Sequence, residues 1–428
     1  MTSHAREQKH LLLLGTNVGS VDIVRYAKSK GHRVTVADNR GRYHGAKQYA
    51  DASLEVSTAD TRSLVEHAAD AEVDAVLAGV SEFNLRQAIR ISDALGTPFY
   101  CSSEQWDLFM DKGRFRAFAV SFGVPSPATY IVGNRADVQT HREKAAVPCV
   151  VKPVDGNSLR GITICRAASE VDDAIEAAFD ASVSGRIVVE EFVEGREFTA
   201  AYVVVNGIPS LSSLDIRLPF AFEGMSTTFP ILRVYPPSFA DDYVAQCDGP
   251  VKRMIESSGL QNACVFVQGI KSTDGFAVFE AGLRLAGEAP YRFLEPVNGV
   301  NSLKHLVDTV LSEPSSYDIS LDDIRMKGDV CAIASFVLSG GTIAQTPDID
   351  AELHDLPQVL ESELRYSTGS VVPTDGTLRQ IGARFILRCS DLDELASVIA
   401  EINSRIDIKA TDGHSMAVKP NPSTLELV

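Results

Sequence analysis

The stretch FAVFEAGLRLAGEAPYR (276–292) decides how the rest of the chain is read. An apolar, strand-like run from Phe276 to Phe279 delivers Glu280, and Arg284 follows four residues later. Twelve residues before Glu280 a second strand-like run, Cys264 to Val267, ends at Gln268. Two oxygen-bearing side chains on neighbouring strands, with an arginine just beyond, suit a magnesium–phosphate site. Magnesium prefers hard oxygen ligands and shares them with substrate phosphates. The arginine can stabilise charge that develops on a transferring phosphoryl or acyl-phosphate group.

Working upstream, VVEEFVEGREFTAAYVV (188–204) is a strand ending in Glu190-Glu191, a short apolar connector, and Glu197 opening another strand after Gly195. Two carboxylates seven residues apart can grip different parts of one ligand, such as a base amino group and a ribose hydroxyl, while the connector's backbone reads the base edge. A solvated acidic turn is the commoner use of such a glutamate run. Further upstream, VPCVVKPVDGNSLRGITIC (147–165) reads as a strand ending in Lys152, a loop holding Gly156, Asn157, Ser158 and Gly161, and a second strand. Glycines let backbone N–H groups approach phosphate oxygens, and lysine adds a point charge. No Gly-Lys-Ser/Thr opens a helix here, so this is not a Walker A loop. A hairpin over a nucleotide and an ordinary hairpin with an incidental lysine fit it about equally. WDLFMDKGRFRAFAVSFGVPSP (106–127) carries Lys112 near the start of a helix that stops at a Gly-Val-Pro break.

The first hundred residues alternate short apolar runs with helical patterns. LLLLG (11–15), HRVTVAD (32–38) and VDAVLAG (73–79) read as strands, with helices between them. That alternation predicts a parallel α/β sheet. The turn GTNVGS (15–20) bears glycine and Asp38 ends the second strand, but Gly15 and Gly19 are four apart and G-x-G-x-x-G is not met. A tight strand–helix turn explains it better than a dinucleotide site. By its place at the carboxyl end of the first strand, the same turn is also a candidate substrate contact. From residue 329 onward the pattern is α+β, with CAIASFVLSGG, ARFILRC and DLDELASVIAEINSRI as its clear elements and an irregular part between.

Composition narrows the field. The chain has 428 residues, 45% hydrophobic and 23% charged, enough for two to four domains. Its net charge of −17, without a run of lysine or arginine, argues against a nucleic-acid partner. The seven cysteines are scattered with no CxxC and no Cys/His cluster, so zinc is not expected, and an odd count suits reduced thiols in the cytoplasm. LLLL is far too short for a membrane span or a signal segment, so no membrane partner is expected.

The motifs occur in one order: Asp-Lys helix, strand-Lys-glycine loop, Glu-Glu connector, and the Gln…Glu…Arg pair of strands. That ordered set, over about residues 10–310, resembles the ATP-grasp superfamily, particularly its carbamoyl-phosphate-synthase-large-chain-like branch. The resemblance implies an ATP-grasp fold, mixed α/β and α+β, behind an N-terminal parallel α/β domain. Its implied parts are 1–105 for that domain, 106–190 for the lid subdomain, 191–312 for the large subdomain with the metal site, and 313–428 for a C-terminal α+β part completing it. ATP and Mg2+ are implied as co-substrate and metal. By resemblance, Lys112 and Lys152 contact the phosphates, and residues 155–161, with Gly156, Ser158 and Gly161, cover them. Glu190 accepts from the adenine amino group, Phe192 and Val193 line the adenine slot, and Glu197 holds the ribose. Gln268 and Glu280 bind magnesium, and Arg284 faces the γ-phosphate and acyl phosphate. The usual ending is Glu-x-Asn-x-Arg, and here Gly282 replaces the asparagine.

A single such unit, lacking the His-Val-Glu segment typical of biotin carboxylases, resembles stand-alone ligases. These activate a carboxylate with ATP as an acyl phosphate that an amine attacks. The expected partners are a small carboxylate and an amine, with a homodimer as the commonest closed assembly. Arg233 and Arg292 are candidate carboxylate clamps, against an equal expectation of surface ion pairs. The rivals are a catalytically inactive nucleotide-binding regulator, suggested by Gly282, and an NAD-dependent oxidoreductase built on residues 11–100.

Overall fold

The computed structural model describes residues 8–135, 146–155, 161–223 and 228–428. At the amino end, β1 (His10–Leu14), β2 (Arg33–Ala37), β3 (Ala52–Leu54) and β4 (Ala75–Ala78) form a parallel sheet in the order β3-β2-β1-β4. Helices α1 (Ser20–Ser29), α2 (Thr61–Asp70) and α3 (Glu82–Leu95) alternate with the strands. β1 lies between β2 and β4, and Leu11 to Leu14 are all buried. A strand covered on both faces has no polar side, which is why it reads as unbroken leucine.

Two helices, α4 (Ser103–Met110) and α5 (Lys112–Ser121), lead to a small antiparallel sheet. It consists of β5 (Thr129–Val132), β6 (Cys149–Pro153), β7 (Thr163–Cys165) and β8 (Ile187–Glu191), in the order β5-β8-β6-β7. Helix α6 (Val171–Ala181) buries Val171, Ala174, Ile175 and Ala178 against Val151, Ile187 and Val189, giving this sheet a core of its own. The β6–β7 hairpin carries the predicted phosphate-covering loop. Gly156 and Ser158 lie outside the described residues, and Gly161 closes the loop.

The third unit is a nine-stranded antiparallel sheet. Its first strands are β9 (Arg196–Val205), β10 (Ile208–Phe220), β11 (Phe229–Tyr235), β12 (Ala263–Ser272) and β13 (Gly275–Gly282). Next come β14 (Val330–Leu338), β15 (Gly341–Gln345), β16 (Val359–Leu364), β17 (Val371–Val372), β18 (Ile381–Cys389), β19 (Lys409–Ala410) and β20 (Ala417–Val418). The large sheet runs β13-β12-β9-β10-β11-β14-β18-β16, with β20 beside β14, and β17-β15-β19 form a small separate sheet. Because β14 pairs with β11 and β18 with β14, the carboxyl-terminal segment extends the same sheet that carries Gln268 and Glu280. The irregular part between the clear carboxyl-terminal elements turns out to hold short strands, including β16 at the sheet edge.

The amino-terminal sheet docks onto the large sheet's helices and on the loop after β13 through polar contacts. Tyr26 donates to Asp308 at 2.8 Å and Tyr291 to Asp22 at 2.7 Å. Arg284 donates to Glu82 at 2.9 and 3.2 Å. Among the described residues, no helix is long and apolar enough to cross a membrane.

Candidate active site

Antiparallel register builds the site. Residues directly opposite one another share a face of the sheet. Glu280 on β13 lies opposite Gln268 on β12, Gln268 opposite Thr199 on β9, and Thr199 opposite Asp215 on β10. Two residues along, Glu197 lies opposite Arg217, which lies opposite Arg233 on β11. Period-two alternation puts Glu197 with Thr199, and Asp215 with Arg217, on that same face. One face of the large sheet therefore carries a polar stripe across five strands. The pairing is real chemistry as well as register. Arg217 pairs with Glu197, Arg233 donates to Asp215 at 2.6 Å and to Thr199 at 2.8 Å, and Gln268 donates to Thr199 at 3.4 Å.

The lid sheet supplies a second charged group. Lys152 lies opposite Val188 and Glu190 opposite Val150, so the two are diagonal neighbours on one face. Lys152 pairs with one Glu190 oxygen, and Arg116 donates to the other at 3.0 Å and to the Phe279 carbonyl at 2.8 Å. All three side chains are buried. Burial pulls the Lys152 ammonium below its ordinary pKa, and Glu190 works against that fall. Burial likewise lowers Arg116 against the opposing pull of Glu190. The sequence reading missed Arg116, although a signal was available: it lies four residues after Lys112, on the same helix face.

The two halves meet at Lys112. Its backbone N–H donates to the Val154 carbonyl at 3.3 Å, at the root of the β6–β7 hairpin. Its ammonium is 3.7 Å from a Glu280 oxygen. Lys152 lies 5.4 Å from the centre of the Phe279 ring, in a cation–π arrangement. Four motifs spread over more than 160 residues thus converge on the cleft between the two antiparallel sheets. Past the end of β8, the Phe192 N–H donates to Pro148 at 3.1 Å and Arg166 stacks on the Phe192 ring at 5.2 Å, with Val193 half-buried beside it.

Gly282 has a steric explanation. It lies opposite Phe266, and a Cβ built on it would meet the Phe266 ring at 2.2 Å. The ring fills the space that an asparagine at 282 would need, and the Arg284 guanidinium lies over that ring, 4.8 Å from its centre. Arg284 is therefore held by three contacts: Phe266, its own neighbour's carbonyl at Leu285 (2.9 Å), and Glu82 at the start of α3. The described residues contain no group of three or more His, Cys, Asp or Glu side chains that could hold a metal by themselves. One carboxylate facing one amide does fit magnesium, which takes its remaining ligands from phosphates and water.

The two candidate clamps both have acidic partners. Arg233 is buried between Asp215 and Glu288, the latter 3.3 Å away. Arg292 pairs with Asp22 at 2.9 Å and Glu361 at 2.7 Å. The two features that suggested a dinucleotide site each have a local structural role. Gly15 has φ +79°, and a Cβ there would meet Asn84 at 2.2 Å, so the glycine serves the turn. Both Asp38 oxygens accept from Arg40, at 2.8 and 3.0 Å.

The Lys152–Glu190–Arg116 group carries a prediction. Glu190→Gln would leave two buried cations without a counter-charge, and breaking such a pair typically costs about 3–5 kcal/mol. The expected outcome is a clearly lower melting temperature in calorimetry together with weaker ADP binding by titration.

Comparison with known proteins agrees with this architecture. The family D-ala D-ala ligase C-terminus matches residues 120–218. D-alanine–D-alanine ligase of Gloeobacter violaceus is 28% identical over 183 residues, 41% of this chain and 60% of that enzyme. Its counterpart from Coprothermobacter proteolyticus is 34% identical over 104 residues, 23% of this chain and 33% of that enzyme. The match thus spans three fifths or less of these relatives. Among solved structures, phosphoribosylglycinamide synthetase from Anaerococcus prevotii superposes with a TM-score of 0.73 at 17% identity, covering 95% of this chain and all of that one. L-amino acid ligase from Bacillus licheniformis gives 0.75 at 15% identity with the same coverage. The biotin carboxylase domain of Hydrogenobacter thermophilus 2-oxoglutarate carboxylase gives 0.77 at 15% identity, covering 98% and 92%. The structural neighbours and the order of the motifs agree on an ATP-grasp fold for this chain.

Proposed function

We propose that the chain is an ATP- and magnesium-dependent ligase that activates a substrate carboxylate as an acyl phosphate and joins it to an amine. The observation that carries this is the approach of Lys112, at the root of the lid hairpin, to within 3.7 Å of Glu280 on the large sheet. Phosphate-binding cations and an oxygen donor pair then face one cleft, which a phosphoryl-transfer site needs. The names of the relatives, carboxylate–amine ligases among them, support the same reading.

In this reading Phe192 and Val193 line the adenine slot beside Glu190, Glu197 takes the ribose, and Lys112 and Lys152 neutralise the phosphates. Magnesium, held by Gln268 and Glu280, would supply charge neutralisation on those phosphates. A substrate carboxylate oxygen bonds to the γ-phosphorus as its bond to the bridging oxygen breaks, releasing ADP. The amine then attacks the acyl carbon, the carbon–oxygen bond to phosphate breaks, and the amine loses a proton. Arg284, braced by Glu82 and Phe266, stabilises the oxyanion of that second step. No protein nucleophile is required.

We place the enzyme in the cytoplasm, where ATP is available and where its seven cysteines, all buried and unbridged, would stay reduced. A homodimer is the assembly we propose, since the biotin carboxylase domain named above is a dimer. The test is ADP release with magnesium and a panel of carboxylate–amine pairs. Release that requires an added carboxylate is the expected result. Tight ATP binding with no release for any pair would instead favour the inactive regulator that Gly282 suggests.

A further inference from the structure

Glu280 reaches its place in the cleft because β13 carries one residue more than its partner strand. Along this hairpin Ala277 lies opposite Ile270 and Val278 opposite Gly269, yet Glu280, not Phe279, lies opposite Gln268. β13 takes two steps where β12 takes one, and Phe279 is the extra residue of a β-bulge. Bulges bend a strand locally and re-aim the side chains beside them. In an unbroken ladder Phe279 would stand opposite Gln268, and the amide would face an aromatic ring instead of a carboxylate. The bulge therefore creates the Gln268–Glu280 pair.

The extra residue of a bulge is left out of the ladder, so its backbone groups need partners elsewhere. Arg116 supplies one: its Nη2 donates to the Phe279 carbonyl at 2.8 Å. The same nitrogen donates to Glu190 at 3.0 Å, and Nη1 donates to the Pro127 carbonyl at 3.4 Å. Next to the bulge, the Val278 N–H donates to the Pro125 carbonyl at 2.7 Å. Lys152, the other cation on Glu190, stands 5.4 Å from the centre of the Phe279 ring. Both cations that hold the lid carboxylate thus also hold the bulge residue, one by its carbonyl and one by its ring. The charge of Glu280 reaches Arg116 too, and with Glu190 it opposes the fall in pKa that burial causes. Arg116 is buried with its Nε unpartnered among the described residues, which is costly. That cost has no purpose if the one task of Arg116 is to neutralise Glu190, because Lys152 already does so.

We propose that Arg116 is a positioning residue for the metal: by holding the Phe279 carbonyl it fixes the bulge, and the bulge fixes Glu280 opposite Gln268. Its second hold, on Glu190, ties the lid carboxylate to the same bulge. Groups that brace a metal ligand from behind are worth about 10- to 100-fold in metal affinity or activity. This inference rests on the reading of Gln268 and Glu280 as the magnesium pair.

The test compares ADP affinity, by calorimetry on the full chain, in Mg2+ and in EDTA. The ratio of the two affinities reports what the metal contributes. In Arg116→Met that ratio is expected to fall about 10- to 100-fold from wild type. ADP affinity in EDTA changes far less, because Lys152 remains as the counter-charge to Glu190. Arg116→Lys, which keeps a donor in place, recovers part of the ratio. In ADP release, the Mg2+ concentration for half-maximal rate rises in the same proportion. A merely structural Arg116 would lower the melting temperature and weaken ADP binding equally in both conditions, leaving the ratio as in wild type. An unchanged ratio in Arg116→Met, with Glu280→Gln abolishing the metal's contribution, overturns the proposal. If Arg116→Met does not fold, Arg116→Lys decides: a ratio between those of wild type and Glu280→Gln upholds the role, and a wild-type ratio removes it. Wild type that binds ADP equally with and without Mg2+ sinks the metal pair and this inference with it. An Arg116-dependent ratio with no ADP release from any acid upholds the inference and sinks the ligase reading alone.

Discussion

Replacing Glu280 by alanine is expected to abolish carboxylate-dependent ADP release while the protein stays folded. Glu280 is a partly exposed side chain 3.7 Å from the Lys112 ammonium. Ion pairs of that exposure contribute about 0–1 kcal/mol to stability. It lies opposite Gln268, and in the proposed metal site it is the one carboxylate. Losing a preorganised electrostatic group from a transferring centre lowers turnover ~10²–10³-fold. Steady-state ADP release alongside a melting curve separates the two effects. A variant with wild-type turnover would remove Glu280 from the site, and one that fails to fold would make it structural.

Gly282→Asn gives the second large effect, and here motif and structure disagree on its sign. By motif, asparagine restores the usual Glu-x-Asn-x-Arg ending and should improve the metal site. By structure, its Cβ would sit 2.2 Å from the Phe266 ring, which is itself buried and lies 4.8 Å from the Arg284 guanidinium. Forcing extra atoms into a packed site typically costs about 1–3 kcal/mol. The displaced ring would also carry the arginine off its position, and misplacement by an ångström can cost ~10²-fold in rate. The expected outcome is a lower melting temperature and lower kcat. A Gly282→Asn/Phe266→Ala double variant should recover part of the stability, because the two residues share one space. Higher activity in the single variant would mean that the ring moves freely.

Much of the architecture was legible in the sequence because periodicity survives without tertiary context. LLLL, the amphipathic spacing of α1 and α6, and the strand pair ending in Glu280 each follow from a local burial requirement. The nucleotide-site candidates were legible because they fall in a fixed order along the chain. The substrate side was not. Asp215, Arg217 and Arg384 lie inside apolar strands, where a polar residue every second position looks like any half-exposed sheet face. Only register shows which strands lie side by side. Arg233 and Arg292 were visible as arginines, but their acidic partners come from other elements, as far away as Asp22.

The sequence by itself determined a parallel α/β unit followed by strand-rich α+β segments, and a set of Lys, Glu and Gln side chains suited to ATP and magnesium. Those are properties of short segments, set by burial period and side-chain chemistry. Tertiary structure alone decided that Arg116 closes the Lys152–Glu190 group, that Phe266 occupies the place of the missing asparagine, and that the buried Nε of Arg384 finds no hydrogen-bond partner among the described residues. The physical reason is common to all three. Each depends on the distance between groups remote in sequence, and electrostatic and steric energies are functions of that distance.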